Sequence, residues 1–388
     1  MKNILCYIRK SYGTVIWENM KSFIQGFREC GVDVIVCDMD DYKSVEAVDE
    51  LLQHPELIWF SVGFNGIGLT ASPRQSEIDI PHVSVMLDVP YNRYVGGYDF
   101  PCRKHLVTYL DKRAGEILDI AYPSKNMNKM FMPLAGTQYD GLVEGADRKY
   151  DVVFSASRWQ DGPAIRMWHD GTVNRQITYL LDEVADYMEV YPVTTVDAVR
   201  EVLKIHGLVD VIYLERLLPY FWQVLQYIKM QRRYRALEML VRNDIRVDVF
   251  GANWESVPFV NKLILHGPIP YEDNVKVFSQ AKIVFQDQAE FNHGAHDRVF
   301  TAMLNGAVVV SEYSSYLEEE FVCGQEIFLY DWQNGDEQIK VIHKLLADES
   351  WRLSIAKSAR KIAEKRHCWR NRAEDIMCAI TILYGSNC

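Results

Sequence analysis

Two histidines, an aspartate and an arginine fall in one short run of the chain, His293, His296, Asp297 and Arg298. Before them stands Ile283–Phe285, an apolar run too short for a helix and typical of a strand buried on both faces. After them Val299, Phe300, Met303 and Leu304 recur at helical spacing, Asn305-Gly306 supplies a helix stop, and Ala307–Val310 reads as a second buried strand. The four polar side chains therefore gather where a helix begins. Unpaired backbone N–H groups and the helix dipole favour an anion there, and the planar fork of Arg298 suits phosphate oxygens. The chemistry indicated is a cradle for a pyrophosphate. The plainer alternative makes Asp297 the N-cap and Arg298 a solvated first-turn residue.

Strand, polar loop, helix and strand form one βαβ unit, and ligands of open parallel sheets bind at the strands' carboxyl ends. Three further loops of unusual composition follow expected strands: Ser11–Thr14, Gly63–Gly68 and Asp88–Tyr94. Gly63–Gly68 has the wrong spacing for a phosphate-binding glycine loop. Asp88 follows the apolar run Val83–Leu87 and suits a general base or a ligand for an acceptor hydroxyl; its alternative is to cap the turn before Pro90. Tyr12, Trp17, Tyr91 and Tyr94 offer a stacking surface, or else packing. Arg232, Arg233 and Arg235 read as a solvated helix face, the alternative being that one of them points into a cleft.

The elements that must position these groups come in two alternating series. The first has strands at 4–8, 32–37, 57–62, 82–87 and 106–110, a last one at Ile120–Pro123, and helices at 15–30, 43–53 and 112–118. The Pro/Gly segment Phe131–Gly136 and the charged run Glu144–Lys149 mark a boundary. The second series opens with Tyr150–Phe154 and Ser155-Ala-Ser-Arg-Trp159, and a helical insertion fills about 172–243. It resumes with strands at 247–250, 263–265 and 326–330 around the central unit, a helix at 271–280, and closing helices at 336–347 and 350–384, the last broken near His367-Cys-Trp369. Such alternation makes the fold class α/β, with parallel sheets covered on both faces. The expected domains are 1–140, 150–365 with its helical insertion, and a C-terminal helix 366–388 returning to the first.

Composition sets outer limits. A chain of 388 residues suits two domains, and 48% hydrophobic with 24% charged residues is a globular balance. No apolar run nears the ~20 residues of a membrane span, and charge interrupts Met1–Arg9 too soon for a signal peptide. A net charge of −11 disfavours nucleic acid as partner. The eight cysteines show no C-x-x-C pair, so neither zinc nor a disulfide framework is indicated and a reducing cytoplasm is expected.

The run from Arg246 to Tyr330, with Gly-x-Asn-Trp at 251–254, His-Gly-Pro-Ile-Pro at 266–270, His-x-Arg-Val-Phe at 296–300 and Ala-Met-Leu-Asn-Gly-Ala at 302–307, resembles the donor-binding domain of GT-B glycosyltransferases. Phe321–Glu326, Ile80–Pro90, Phe131–Gly136 and His367–Arg372 extend the likeness, which is nearest to the bacterial subgroup typified by spore-maturation CgeB proteins and flagellin or surface-protein glycosyltransferases. The resemblance implies two facing Rossmann-like domains, a nucleotide-sugar donor held mainly by the second, a protein or glycan acceptor over the first, and no bound metal or cofactor. It places Arg158 among the diphosphate ligands, with Asn253, Trp254, Pro268 and Ile269 around base and ribose. Many retaining enzymes of this architecture carry two Glu eight positions apart; here those positions hold His293 and Thr301, so the ribose carboxylate is absent and the stereochemical outcome stays open.

The function expected is glycosyl transfer from a nucleoside-diphosphate sugar to a protein hydroxyl or surface glycan, with Asp88 and His293 as catalytic candidates. A homo-oligomer is compatible with it. A UDP-sugar 2-epimerase of the same two-domain plan and a non-catalytic binding subunit are the rivals.

Overall fold

The computed structural model describes residues 2–68, 78–91, 103–121, 127–142, 147–158, 165–332 and 335–385, without the side chains of 210 and 211. Tyr94, Pro123, Glu144 and Trp159 lie outside them. The chain divides into two compact units, Met1–Thr137 with Lys365–Cys388, and Gln138–Glu364.

The first unit runs β1 (Asn3–Ile8), α1 (Thr14–Glu29), β2 (Val34–Asp38), α2 (Tyr42–Leu51), β3 (Ile58–Phe64), β4 (His82–Val85), β5 (His105–Tyr109), α3 (Ala114–Ala121) and β6 (Asn128–Phe131). Its six strands lie in the order β2-β1-β3-β4-β5-β6, and every pairing is parallel. Met20, Phe23, Ile24 and Phe27, the helical stripe of α1, are buried, and Gly31, at φ +78°, turns the chain where an L side chain would be strained. Where a strand is expected from Ile120 to Pro123, the described residues Ile120 and Ala121 continue α3, and the last described strand of this unit is β6. The helix expected over 112–118 runs on through Ile120 and Ala121, because a short apolar stretch is ambiguous and here it continues a helix whose Ile117 and Leu118 are buried.

The second unit begins with β7 (Tyr150–Ser155) and then leaves the sheet for α4 (Arg175–Val190), α5 (Thr195–Ile205), α6 (Asp210–Leu217) and α7 (Phe221–Arg242). It returns through β8 (Val247–Phe250), β9 (Leu263–Gly267), α8 (Tyr271–Ser279), β10 (Ala281–Gln286), α9 (Asp297–Leu304), β11 (Val308–Glu312), α10 (Ser315–Glu320), β12 (Phe328–Tyr330), α11 (Gly335–Ala347) and α12 (Glu349–Arg366). The helical insertion is present but ends inside α7. Ala236, Leu237, Leu240 and Val241 of that helix share one core with Phe154, Val249, Ile283, Phe285 and Val310 of the sheet.

The strand order of the second unit is β12-β11-β10-β7-β8-β9, again all parallel. Its inner strands β7, β8, β10 and β11 are almost wholly buried, as the apolar runs of a sheet covered on both faces require. A final helix, α13 (Trp369–Tyr384), belongs to the first unit. Gly26 of α1 allows its approach, because a Cβ there would lie 2.7 Å from the backbone oxygen of Trp369. The Trp369 ring packs 5.3 Å from Phe23, and Arg372 Nε donates to the Pro133 carbonyl at 2.6 Å.

Candidate functional site

The second sheet reverses its direction of growth between β7 and β10: the chain builds β8 and β9 on one side of β7, then crosses to start β10 on the other. Connections diverge at such a switch point and leave a crevice outside the carboxyl ends of the two strands. Ser155 and Gln286 end those strands, so Ser155–Arg158 and Asp287–Arg298 border the crevice.

Two arginines meet there on one carboxylate, and a third stands on the loop after β7. Arg298 donates through Nη1 to the Ser155 carbonyl and holds Nη2 3.6 Å from Asp287 Oδ1. Arg233 of α7 reaches Asp287 Oδ2 through Nε at 3.2 Å and the Ser157 carbonyl through Nη1 at 2.6 Å. Arg158 donates to Ser256 Oγ at 3.1 Å. Burial pushes the Asp287 carboxyl up, but attraction by Arg233, then Arg298 and His296, outweighs it and leaves the group far below its usual range. Asp287 is therefore a carboxylate at neutral pH. The Oδ1–Nη2 separation is too long for a hydrogen bond, and neither atom has another partner among the described residues. Buried polar atoms are rarely left in that state unless something else meets them.

Behind this group Arg232 and Glu312 form an ion pair at 2.9 Å with side chains 1% and 0% exposed. The arginine cluster of α7 is thus not the solvated face expected from the sequence. Arg232 is fully buried, Arg233 faces the crevice, and Arg235 pairs with Glu189 at 2.7 Å.

At the start of α9 the N-cap is His296, not Asp297, and its Nδ1 lies 3.3 Å from the Arg298 backbone N. The helix terminus is therefore partly served by the protein's own imidazole. Asp297 contacts the same ring nitrogen and accepts from Tyr271 Oη at 3.2 Å. Its carboxyl, raised by burial but lowered more by His296 and Arg298, ends below its usual range. Arg298 is 7% exposed, which also overturns the solvated first-turn alternative. Thr301, one turn on, is buried at 1%.

Arg158 and Asn253 tie the loop after β7 to the loop after β8. Asn253, at φ +66°, donates through Nδ2 to the Arg158 carbonyl at 2.8 Å, and the Arg158 backbone N donates to Ala252 at 3.0 Å. Trp254 is placed differently from the expected base-contacting surface. It is 0% exposed, donates Nε1 to the Ala156 carbonyl at 2.7 Å, and belongs to the core of the sheet. Pro268 is exposed and Ile269 half-buried, in the turn between β9 and α8. His293 stands between Ser315 and Asp197.

Asp88 lies in the other unit, exposed in the bend after β4, where Asn65 Oδ1 accepts from the Leu87 backbone N at 2.9 Å. The loop from Gly63 is a tight structural turn: a Cβ on Gly63 would stand 1.9 Å from the Ile67 carbonyl oxygen. Among the described residues, Tyr12, Trp17 and Tyr91 have separate surroundings. Arg9 stacks on Tyr12 at 4.9 Å, Lys10 lies 5.1 Å from the Trp17 ring, and Tyr91 is buried. Among the described residues no group of three or more His, Cys, Asp or Glu is gathered to hold a metal ion, and no helix is long and apolar enough to cross a membrane.

Asp287 is not singled out from the sequence, and Arg233 enters only as one of three arginines, one of which the alternative reading turns into a cleft. A signal existed: an arginine run inside a helix that continues apolar toward its end, and a carboxylate directly after a buried strand. Together those features call for long-range ion pairing.

No curated protein sequence matches the chain. Its structure is similar to the DNA-modifying β-glucosyltransferase studied with and without uridine diphosphoglucose, at a TM-score of 0.56 and 11% identity over 98% of this chain and 100% of that one. T4 phage β-glucosyltransferase matches at a TM-score of 0.55 and 11% identity, over 98% and 99%. Anabaena HepE in complex with UDP-glucose matches at 0.50 and 12%, over 98% and 100%. The chain spans 57% of the length of TarM, at a TM-score of 0.45. The fold is the α/β architecture of GT-B glycosyltransferases, and residues 232–378 match a protein family described as glycosyl transferase-like.

Proposed function

We propose that the protein is a glycosyltransferase moving a sugar from a nucleoside-diphosphate donor to a hydroxyl of a protein or surface glycan, as in the bacterial surface-protein enzymes its motifs resemble. One observation carries this reading: Arg233 and Arg298 converge on the ends of β7 and β10 with Asp287 as their buried counter-charge, and Arg158 stands on the loop that follows β7. Three guanidiniums against the carboxylates of Asp287 and Asp297 leave a local excess of one positive charge in a chain of net charge −11. A diphosphate supplies the missing negative charge, and the switch point of the sheet is where it would lie.

The chemistry follows from that placement. As the bond from the anomeric carbon to the phosphate oxygen breaks, negative charge grows on the leaving diphosphate. Contacts to fixed guanidiniums then strengthen, which lowers the barrier more than it stabilises the bound donor. Arg298 is fixed by Nε on His296 and Nη1 on the Ser155 carbonyl, which leaves Nη2 as the edge it holds toward the phosphates. Arg233, side chain 16% exposed, is the more accessible cation. Asn253, Pro268 and Ile269, on the loops after β8 and β9, are assigned to base and ribose, while Trp254 sits in the core. Asp88 is assigned to the acceptor hydroxyl and His293 to the sugar side. The structures similar to this one that were obtained with uridine diphosphoglucose or UDP-glucose support the donor class.

Calorimetric titration of the full chain with UDP, GDP, CDP and dTDP tests the reading. One of them is expected to bind at micromolar to millimolar concentration, and failure of all four would remove it. Turnover of the matching sugar nucleotide then separates the rivals. Transfer requires an acceptor, epimerisation does not, and a binding subunit does neither.

A further inference from the structure

His293 is held from both sides. Its Nε2 lies 2.9 Å from Asp197 Oδ2 and its Nδ1 2.8 Å from Ser315 Oγ. The partners come from separate parts of the second unit: Asp197 from α5 of the helical insertion, Ser315 from the first turn of α10 after β11. Asp197 is itself fixed, accepting from Thr194 Oγ1 at 2.8 Å. The loop that carries His293 is tied to the same helix again, since the Glu290 carboxylate accepts from Thr195 N at 3.1 Å and from Thr195 Oγ1 at 2.7 Å. That second tie is buried, and Glu290 holds a φ of +71° to make it.

The Glu290 tie is enough to anchor the loop, so the His293 contacts call for another reason. Their polarity supplies one. A carboxylate only accepts, so Nε2 must carry the ring proton; the Nδ1 of a neutral ring is then an acceptor, and Ser315 must give it the hydroxyl hydrogen. Ser315 Oγ is left with lone pairs and no proton to offer. Side chains of His293 and Asp197 are 27% and 16% exposed, so the relay is not sealed in the core.

We propose that Asp197 is a positioning residue: acting through His293, it sets Ser315 Oγ as a hydrogen-bond acceptor for a hydroxyl of the donor's sugar, so that the insertion takes part in reading the sugar. This rests on the donor assignment made above. Recognition of this kind rejects a ligand that lacks the hydroxyl, because a buried or half-buried acceptor is then left unpaired. It does not touch the diphosphate, which the arginines hold.

The test compares a nucleoside diphosphate with its sugar nucleotide, using UDP against UDP-glucose and UDP-N-acetylglucosamine, and GDP against GDP-mannose. In the wild type the best sugar nucleotide is expected to bind more tightly than its diphosphate. Asp197→Asn and Ser315→Ala should each erase about tenfold of that difference while leaving the diphosphate within about twofold. A purely structural role would weaken both ligands together, and that result overturns the proposal, as does an unchanged difference. Nitrogen NMR of histidine-labelled protein at pH 8, with His293 assigned from His293→Gln, should show Nε2 protonated and Nδ1 bare without any ligand. A proton on Nδ1 overturns the relay even if nucleotides bind. The expected tautomer with no nucleotide bound by the wild type overturns the donor assignment, and the sugar role with it.

Discussion

The guanidinium of Arg298 stands 3.6 Å from the carboxylate of Asp287, with only 9% and 3% of the two side chains exposed to solvent. A buried pair this loosely coupled keeps donors and an acceptor available at the edge of the crevice. Arg298→Ala is therefore expected to weaken the preferred nucleoside diphosphate by about 10- to 100-fold, the range for a hydrogen bond to a charged group, and the bare nucleoside by less than about twofold. Calorimetry on both ligands checks this. Equal losses would show that the side chain does not meet the phosphates.

Asp287 sets the charge of the same site. Asp287→Asn removes the one carboxylate between Arg233 and Arg298, so the diphosphate meets one more unit of positive charge. Affinity should rise at about 50 mM salt and fall more steeply as salt is added, because screening acts on the larger net charge. Titrations at three ionic strengths read the slope. A weaker, salt-insensitive affinity would mean that Asp287 serves to hold the guanidiniums in place.

Arg232 and Glu312 are expected to dominate the stability of the second unit. Removing one partner leaves an uncompensated buried charge, at a cost of about 3–5 kcal/mol. Arg232→Ala should show that loss in urea unfolding of the full chain. Arg232→Met with Glu312→Gln should recover most of it, since neither residue then carries charge. A loss below about 1 kcal/mol for Arg232→Ala would show that the pair is solvated in the native state.

His82 of the first unit contributes a pH dependence. His82 is fully buried against Ser61 at 2.8 Å, and burial, then the neighbouring His105, holds its imidazole well below the ordinary value. The unfolded chain takes up that proton near pH 6.5 and the folded chain does not. Stability should be constant above about pH 7 and decline as pH falls below about 6.5. Urea midpoints between pH 8 and 5.5 test this, and His82→Gln should flatten the decline. A midpoint that rises on acidification would contradict the assignment.

Gly251 joins fold to site. A Cβ there would lie 2.2 Å from the Ala156 carbonyl oxygen, on backbone that cannot swing away. Gly251→Ala should force apart the loops after β7 and β8, displacing Arg158 and Asn253. The expected result is at least about tenfold weaker diphosphate binding, together with destabilisation of about 1–3 kcal/mol, as for overpacking elsewhere. Unchanged binding would separate Arg158 from the phosphate site.

The α/β class, the parallel strands and the helix that opens near Arg298 were legible in the residues alone. Apolar runs such as Val308–Val310 can be satisfied only by burial on both faces, and stops such as Asn305-Gly306 act within one helical turn. These are local constraints, so local order records them. The strand expected from Ile120 shows where such reading fails, because a short apolar stretch fits a strand or the end of a helix equally well.

What only the tertiary structure decided is which side chains meet. Arg233 and Asp287 are 54 residues apart in the chain, and they become partners because β10 lies beside β7 and α7 covers both. The sequence places Trp254 and Arg298 alike at strand ends and helix starts, with nothing local to say that the first would be sealed in the core and the second held at a crevice. Strand order makes that choice: it follows from how two layers of helices can cover one sheet, a balance of burial over the whole unit that no window of neighbouring residues contains.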